Sequence, residues 1–535
     1  LALACCARLG YRAPMTHTLP PALVVAGTKS GCGKTSVALG LMRALTRRGL
    51  TVAAFKAGPD FIDPGHHALA TGRASHNLDD WMCGASAVRE IFARHAAGAD
   101  VAVIEGVMGL FDGLSTTDES GSTARLAKLL GLPALLVVDA SSMARSAAAM
   151  TLGYLRFDPD LNFCGVVLNN AGSPSHAALL AETMAADVPD APLWGVLPRR
   201  ADIAAPSRHL GLVTAGDSHN AETRLDALAD WIEAAIDLPA RLAALPRPTF
   251  PAPPGHLPSP APAQPPAQPE HPHPALPGGL GGMIPPGGAP GQRPCRESPE
   301  GAAPLLAPGG APGRRPCRGG PGGVEPLLGI ARDQAFCFYY AENLRLLEAA
   351  GARLVEFSPL TDTALPPGLG GLYLGGGYPE LHAARLAGNA AMRRAVREFC
   401  AGGRPVYAEC GGFMYLMDAL TDLDGRQWPM AGVFALRATM GQRFAALGYR
   451  EVVARADTLL GPAGTTARGH EFHYSRIEAV PAGVPAVYGL TGRKGVIDAP
   501  EGFVAKGTLG SYVHLHFGGN PAIAAHFAAA CREGR

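Results

Sequence analysis

From Leu23 to about Leu245 the chain alternates two kinds of apolar pattern. One kind is a short continuous apolar run: "ALVVAG", "TVAAFK", "DVAVIEG", "ALLVVDA", "CGVVLN" and "LWGVLP". The other is a longer Ala- and Leu-rich stretch with helical periodicity. Continuous β-branched runs separated by helices indicate a parallel sheet covered on both faces. The same rhythm returns from Leu328. "LLGIARD", "RLVEFSP", "GLYLGGG" and "PVYAEC" read as strands, "YYAENLRLLEAAG", "AAMRRAVREFCAGG" and "GFMYLMDAL" as helices, and later strands lead to "SYVHLHF". The fold class expected is α/β, in two parallel-sheet domains at 15–245 and 327–535.

Between them, 246–326 is Pro, Gly and Ala with little else that is apolar. Such a segment cannot bury enough surface to offset chain entropy and reads as a long disordered linker. It holds a tandem duplication, Gly287–Pro308 and Gly309–Ile330, so Cys295 and Cys317 are copies of each other rather than a metal pair. Residues 1–14 precede Met15 and read as an unstructured N-terminal extension.

Composition narrows the function. The 535 residues carry 46 Lys plus Arg against 45 Asp plus Glu, with no basic tract. Nothing points to nucleic acid or an anionic membrane. No apolar run approaches the ~20 residues of a membrane span. The 11 cysteines form no C-x-x-C pair, which suits a reducing cytoplasm rather than a zinc or disulfide scaffold.

"GTKSGCGKT", Gly27 to Thr35, lies between an apolar run and a helical stretch. A strand, a Gly-rich turn and a helix N-terminus converge backbone N–H groups on one point, which binds anions. Gly27, Gly31 and Gly33 would cradle nucleotide phosphates, with Lys34 reaching the terminal ones and the Thr35 hydroxyl serving Mg²⁺. The usual G-x-x-x-x-G-K-[ST] spacing is altered: Thr28 stands where the first Gly belongs, and a second lysine, Lys29, occupies the loop. Asp60 and Asp63 in "FKAGPDFIDPGHH" follow the second strand, and Glu105 ends the strand "VAVIE". Carboxylates at the carboxyl ends of parallel strands sit where ligands bind, and Mg²⁺ takes oxygen donors. Asp112 and Asp139 are further candidates, though Asp139 equally reads as a helix cap.

In "RPVYAECGGFMYL", Cys410 ends a strand and is followed by Gly411, Gly412 and a helix, the pattern of a nucleophile elbow. A helix N-terminus and a nearby imidazole would lower the thiol pKa from its ordinary value near ~8.5. His514 and His516 alternate on a late strand and could face one side. Gly376 and Gly377 after the strand "LYL", together with Gly411, could supply oxyanion N–H donors.

The altered loop resembles that of the signature-lysine P-loop proteins, which include dethiobiotin synthase and the cell-division and partition ATPases. "AGTKSGCGKT", "KAGPDFIDP", "VIEGVMGLFDG", "PSRHLGL", "LYLGGGYPE", "AECGGFMYL", "GHEFHYS" and "GSYVHLHF", in this order, resemble the cobyrinate a,c-diamide synthase family. These are glutamine-dependent amidotransferases of cobalamin biosynthesis. The resemblance covers both α/β regions and excludes the linker and residues 1–14. It implies that Cys410 attacks the side-chain amide of L-glutamine with help from His514. Many related glutaminases place a Glu two residues after that His; here the position is His516, so thiol activation is expected to rest on two residues. The N-terminal half would use ATP and Mg²⁺ to phosphorylate a corrin carboxylate, with Asp60, Asp63 and Glu105 serving nucleotide, metal and the reacting acid. Asn169 in "GVVLNN" matches a position that reads adenine in dethiobiotin synthase. Arg208 and His209, and His470, His473, Tyr474 and Arg476, are candidate contacts to the corrin polycarboxylate, with His66 and His67 open to the same role. Cobalt would belong to the substrate, not the protein. A homodimer is a candidate assembly.

Rival readings share much of this. A sister amidotransferase acting on hydrogenobyrinate or nickel sirohydrochlorin would carry every motif above. Cobyric acid synthase lacks the "GPDFIDP" wording. A partition-type ATPase switch would need only the first half.

Overall fold

The computed structural model describes residues 17–115, 117–203, 221–250 and 325–534. The expected extension 1–14, most of the Pro/Gly-rich stretch, and the substrate candidates Arg208 and His209 lie outside the described residues. No described helix is long and apolar enough to cross a membrane.

The N-terminal half is a seven-stranded parallel sheet. In space the strands run His76–Leu78, Val52–Ala57, Val101–Glu105, Ala22–Gly27, Ala134–Asp139, Phe163–Ala171 and Leu193–Pro198. Every residue of Ala22–Gly27, Val52–Ala57 and Val101–Glu105 is buried, as continuous apolar runs require when helices cover both faces. One core packs Phe55, Ile104 and Leu136 against Phe92 and Leu126, and the other packs Val25, Val103 and Val137 against Met42 and Ile232. The edge strand His76–Leu78 is three residues of "HNL", too short and polar to show a period. His17–Thr18 pairs antiparallel with Thr249–Phe250.

The C-terminal half has a six-stranded sheet in the order Arg353–Phe357, Leu327–Ala331, Leu369–Leu374, Val406–Glu409, Thr508–Ser511 and Phe503–Ala505. The first five strands are parallel and the last is antiparallel. Two further sheets, of five and four strands, lie between Met417 and Leu515. The expected helix "GFMYLMDAL" stops at Leu416. Met417 turns extended (ψ 173°), and Met417–Thr421 instead pairs with Phe434–Met440 and Gln427–Pro429. Interstrand pairing there overrides the helical pattern of the sequence.

The two halves pack directly on one another. Tyr449 Oη donates to Asp79 Oδ2 (2.6 Å), and Arg468 lies over the Trp81 ring (4.9 Å). Cys83 Sγ meets His516 Nδ1 (3.2 Å). His95 Nε2 (3.1 Å) and Arg94 (3.0 Å) donate to Glu342. His76, His95 and Glu342 offer ligand atoms within 4.8 Å of one another. However, Arg94, Arg345 and His95 engage both Glu342 oxygens. The two imidazoles stack face to face at 3.4 Å and 14°, so their lone pairs run parallel instead of converging. The cluster is an ion-paired latch between the halves rather than a metal centre.

Burial and the neighbouring His95 lower the His76 pKa to about 3. The folded ring is therefore neutral, whereas the unfolded ring takes a proton near ~6.5. Its stabilising contribution is present above that value and is lost as pH falls towards 3. Between pH ~7 and ~5 the wild type should lose about 2 kcal/mol relative to His76→Phe, a few degrees of Tm. Thermal unfolding at the two pH values checks this, and a constant Tm difference would overturn it.

Candidate functional site

The phosphate loop leaves the end of strand Ala22–Gly27 and enters helix Lys34–Arg47. Gly33 has φ 101°, left-handed, and a Cβ there would collide with the Asn169 amide, so only glycine fits. Asn169 reaches the loop from Phe163–Ala171, two strands away in the sheet. Its Nδ2 donates to the Cys32 carbonyl (3.0 Å) and its Oδ1 accepts from the Asn170 N–H (2.8 Å), so both ends of the amide are engaged in this state. Lys34 is 7% exposed and donates from Nζ to the Lys29 carbonyl (3.1 Å). Burial lowers its pKa. Lys29 pairs with Asp139 (3.2 Å), which also accepts from Asn170 Nδ2 (2.9 Å). Asp112 accepts from the Gly109 N–H (3.0 Å) in its own turn.

Behind the loop lies a buried charge cluster. Glu105 is wholly buried. Its Oε1 accepts from Thr35 Oγ1 (2.6 Å) and Lys56 Nζ (2.9 Å), and its Oε2 from His67 Nε2 (2.7 Å). Lys56 also pairs with Asp63 Oδ2 (2.6 Å) and donates to the Gly106 carbonyl (3.1 Å). His67 Nδ1 lies 3.0 Å from Ser75 Oγ. Burial alone would raise the Glu105 carboxyl, but the Lys56 charge and the His67 and Thr35 bonds outweigh it and hold it well below the usual range. Asp63 moves the other way, up to about 6, because burial and the Glu105 charge exceed the pull of Lys56. Asp60 Oδ1 accepts the N–H groups of Ile62 (2.7 Å) and Asp63 (3.1 Å), which starts helix Ile62–Thr71. The structure thus brings Thr35, Asp63 and Glu105 together, with Asp60 at the rim. Sequence reasoning gave Lys56 no role, although a lysine inside the buried run "VAAFKA" was the signal.

In the C-terminal half Cys410 has φ 44° and ψ −99° at the start of helix Gly411–Leu416, the strained turn expected of a nucleophile elbow. A Cβ on Gly411 would sit 2.9 Å from the Gly377 N–H, and one on Gly376 would collide with the His514 ring. The glycines therefore let the two strand ends close on each other beside His514. Cys410 is 5% exposed. The thiol pKa is not lowered as expected. Burial, then Glu380 and Glu471, push it up despite the Gly411 N–H that favours the thiolate.

His514 and His516 both face the N-terminal half but do different work. His514 packs on Phe61 (4.8 Å), whereas His516 accepts from the Gly518 N–H (3.1 Å) and meets Cys83 and Tyr340. Phe61 also stacks on Phe338 (5.4 Å) and Tyr340 (4.4 Å). Phe61, which lies between Asp60 and Asp63 in the chain, therefore touches His514 of the other half. His473 is stacked on Tyr512 (3.9 Å) and donates from Nδ1 to the Ser475 carbonyl (2.9 Å), while Tyr474 packs on Phe444 (4.2 Å). His470 is buried opposite His514, and His66 is buried on the same helix as His67.

Lys56→Met should leave Glu105 and Asp63 as uncompensated buried charges. The expected loss is about 3–5 kcal/mol, read as a fall in Tm, with part of it recovered by adding Glu105→Gln. Equal Tm values for Lys56→Met and wild type would show that the cluster does not hold the site.

Two family models match these two halves. Residues 23–213 match the CobQ/CobB/MinD/ParA nucleotide binding domain, and residues 328–522 the CobB/CobQ-like glutamine amidotransferase domain. The chain is 43% identical over 515 residues to a protein of Syntrophotalea carbinolica named cobyrinate a,c-diamide synthase, covering 96% of this chain and 99% of that one. It is 44% identical over 513 residues to the hydrogenobyrinate a,c-diamide synthase of Streptomyces coelicolor, covering 96% and 98%. It is 38% identical over 512 residues to the cobyrinate a,c-diamide synthase of Dehalococcoides mccartyi, covering 95% and 97%. With both domains matched and nearly the whole chain aligned, the protein belongs to the a,c-diamide synthase family, the glutamine-dependent ligases of cobalamin biosynthesis.

Proposed function

We propose that this chain uses ATP and L-glutamine to amidate the a and c carboxylates of cobyrinate, with ammonia passing from the thiol site to the phosphate site inside the protein. The observation that carries this reading is Phe61: its ring packs on His514, while Asp63, two residues on, pairs with the Lys56 that bonds Glu105, the acceptor of the phosphate-loop Thr35 hydroxyl. A carboxylate is a poor electrophile because oxide cannot leave. Transfer of the γ-phosphoryl group gives an acyl phosphate, from which phosphate leaves. That transfer needs positioning and charge neutralisation, which Lys34, Lys29 and the loop N–H groups supply. Thr35 and Glu105 set two oxygen donors side by side behind the loop, and Asp60 adds a carboxylate at the rim, a donor set that fits Mg²⁺. Bound there, Mg²⁺ would offset charge on the phosphates.

At the other site Cys410 attacks the glutamine amide, His514 takes the thiol proton, and the N–H groups of Gly376, Gly377 and Gly411 would receive the oxyanion. Ammonia must arrive unprotonated to act as a nucleophile, and the direct packing of the two halves keeps its route out of bulk water. We place the enzyme in the cytoplasm, where its free cysteines stay reduced. Hydrogenobyrinate is the second reading, favoured by a relative of that name whose identity, 44%, matches the 43% of the cobyrinate-named one.

Mass spectrometry of products formed from cobyrinate and from hydrogenobyrinate, each with ATP and glutamine, tests the substrate. Two amides should be gained on cobyrinate; gain on hydrogenobyrinate alone selects the second reading, and no gain on either overturns both. Cys410→Ala should lose glutamine hydrolysis by roughly a thousandfold or more yet keep synthesis from free ammonia. Glu105→Gln should lose synthesis from either nitrogen source. Glutaminase activity intact in Cys410→Ala would refute the nucleophile assignment.

A further inference from the structure

Glu409 ends the strand Val406–Glu409, immediately before Cys410, and is 1% exposed. Its Oε1 accepts from Tyr407 Oη (2.8 Å) and the Leu515 N–H (3.0 Å), and its Oε2 from Tyr373 Oη (2.9 Å). Among the described residues no lysine or arginine forms an ion pair with it, and the basic group in reach is His514, whose Nδ1 lies 3.8 Å from Oε2. That Nδ1 is buried and has no hydrogen-bond partner. A buried carboxylate without a cation and a buried imidazole nitrogen without a partner thus face each other. Buried charges are costly unless paired, and a catalytic hydrogen bond that is long in the free enzyme tightens as charge develops. The position two residues after His514, where related glutaminases carry a carboxylate, is His516, which is spent on Cys83 and the Gly518 N–H.

We propose that Glu409 supplies the missing carboxylate from the strand that carries the nucleophile. It acts as a positioning residue that holds Nδ1 of His514 and stabilises the imidazolium. The inference rests on the Cys410–His514 glutaminase reading. As glutamine is attacked, the Cys410 proton passes to His514 Nε2 and Sγ bonds the amide carbon. The C–N bond then breaks and the nitrogen leaves with that proton as ammonia, and water later hydrolyses the thioester. The positive charge exists only between the two proton transfers, and Glu409 is the carboxylate beside it. The other groups about the pair are Glu380 and Glu471 near Cys410, and His470 and Phe61 against His514.

The test compares Glu409→Gln, which keeps the side-chain shape, with Tyr407→Phe, which removes one bond to Glu409 and leaves its charge. The readouts are kcat and KM for glutamine across pH, and synthesis from free ammonia. In Glu409→Gln, kcat should fall about 100-fold with KM within about twofold. The acid limb of kcat/KM should move about one pH unit lower, since an imidazole that loses a neighbouring carboxylate binds its proton less tightly. Ammonia-supported synthesis should stay within about twofold in both variants, and the Tyr407→Phe limb should overlay the wild type. If Glu409→Gln does not fold, Glu409→Asp should give a smaller shift in the same direction. An unmoved limb in the Glu409 variant, an equal shift in Tyr407→Phe, or parallel loss of both activities would overturn the proposal. If Cys410→Ala hydrolyses glutamine as well as the wild type does, the glutaminase reading fails instead.

Discussion

A lysine buried between two carboxylates organises this molecule. Lys56 is the last residue but one of a central strand and lies opposite Glu105, which ends the next, so their 2.9 Å contact ties the two strands at the edge where the phosphate loop opens. The same Nζ holds Asp63 at 2.6 Å. Asp63 and Asp60 fix the turn 58–63, with Asn77 Nδ2 bracing it through the Gly58 and Asp60 carbonyls (2.8 Å each). Phe61 sits inside that turn, so where Lys56 holds the carboxylates decides where the Phe61 ring stands. Taking one ammonium and two carboxylates out of water costs several kcal/mol per ion, and only dense hydrogen bonding repays it. A site that must bind nucleotide phosphates has a use for charge held ready in place of a better-packed apolar core.

The ring of Phe61 then carries that order across the domain boundary. Phe61, Tyr340 and the two histidines form a continuous aromatic contact: His514 to Phe61, Phe61 to Tyr340, Tyr340 to His516. Phe338 joins it and bonds the Gly376 carbonyl through its own N–H (3.0 Å), so the candidate oxyanion strand touches the same cluster. Polar anchors rim these rings, with Tyr449 on Asp79, Arg468 over Trp81 and the Glu342 latch. An apolar centre with a bonded polar rim is the anatomy of an interface that excludes water.

Much of this was legible in the sequence because continuous apolar runs and glycine turns obey local rules. All six strands read from the first half are present within a residue or two, and the thiol does sit on a strained strand-to-helix turn. What could not be read depends on contacts between distant segments. The edge strand His76–Leu78 has no period, and Met417–Thr421 is a strand only because partners flank it. The thiol was expected to be acidified by its helix; that N–H is present, but burial beside Glu380 and Glu471 outweighs it. Lys56 and Glu409 were each visible as a charged residue in an apolar strand, a signal that says a partner exists without saying which.

The buried acids and bases along the boundary also suit passage of a neutral nucleophile. Burial lowers the pKa of both His470 and His516 to about 4. At neutral pH these rings are uncharged and have no proton to surrender to ammonia, while Phe61, Phe338 and Tyr340 offer no acid at all at that pH. Burial also pushes the Cys410 thiol up, which disfavours the thiolate in the free protein; on the proposed glutaminase reading, attack then waits for an aligned amide and His514. On that reading, the desolvation that would protect ammonia once formed also delays its formation. Exclusion of water is thus common to both places but has two sources: Cys410 is shut in by the core of its own half, and the boundary rings by the packing of one half on the other.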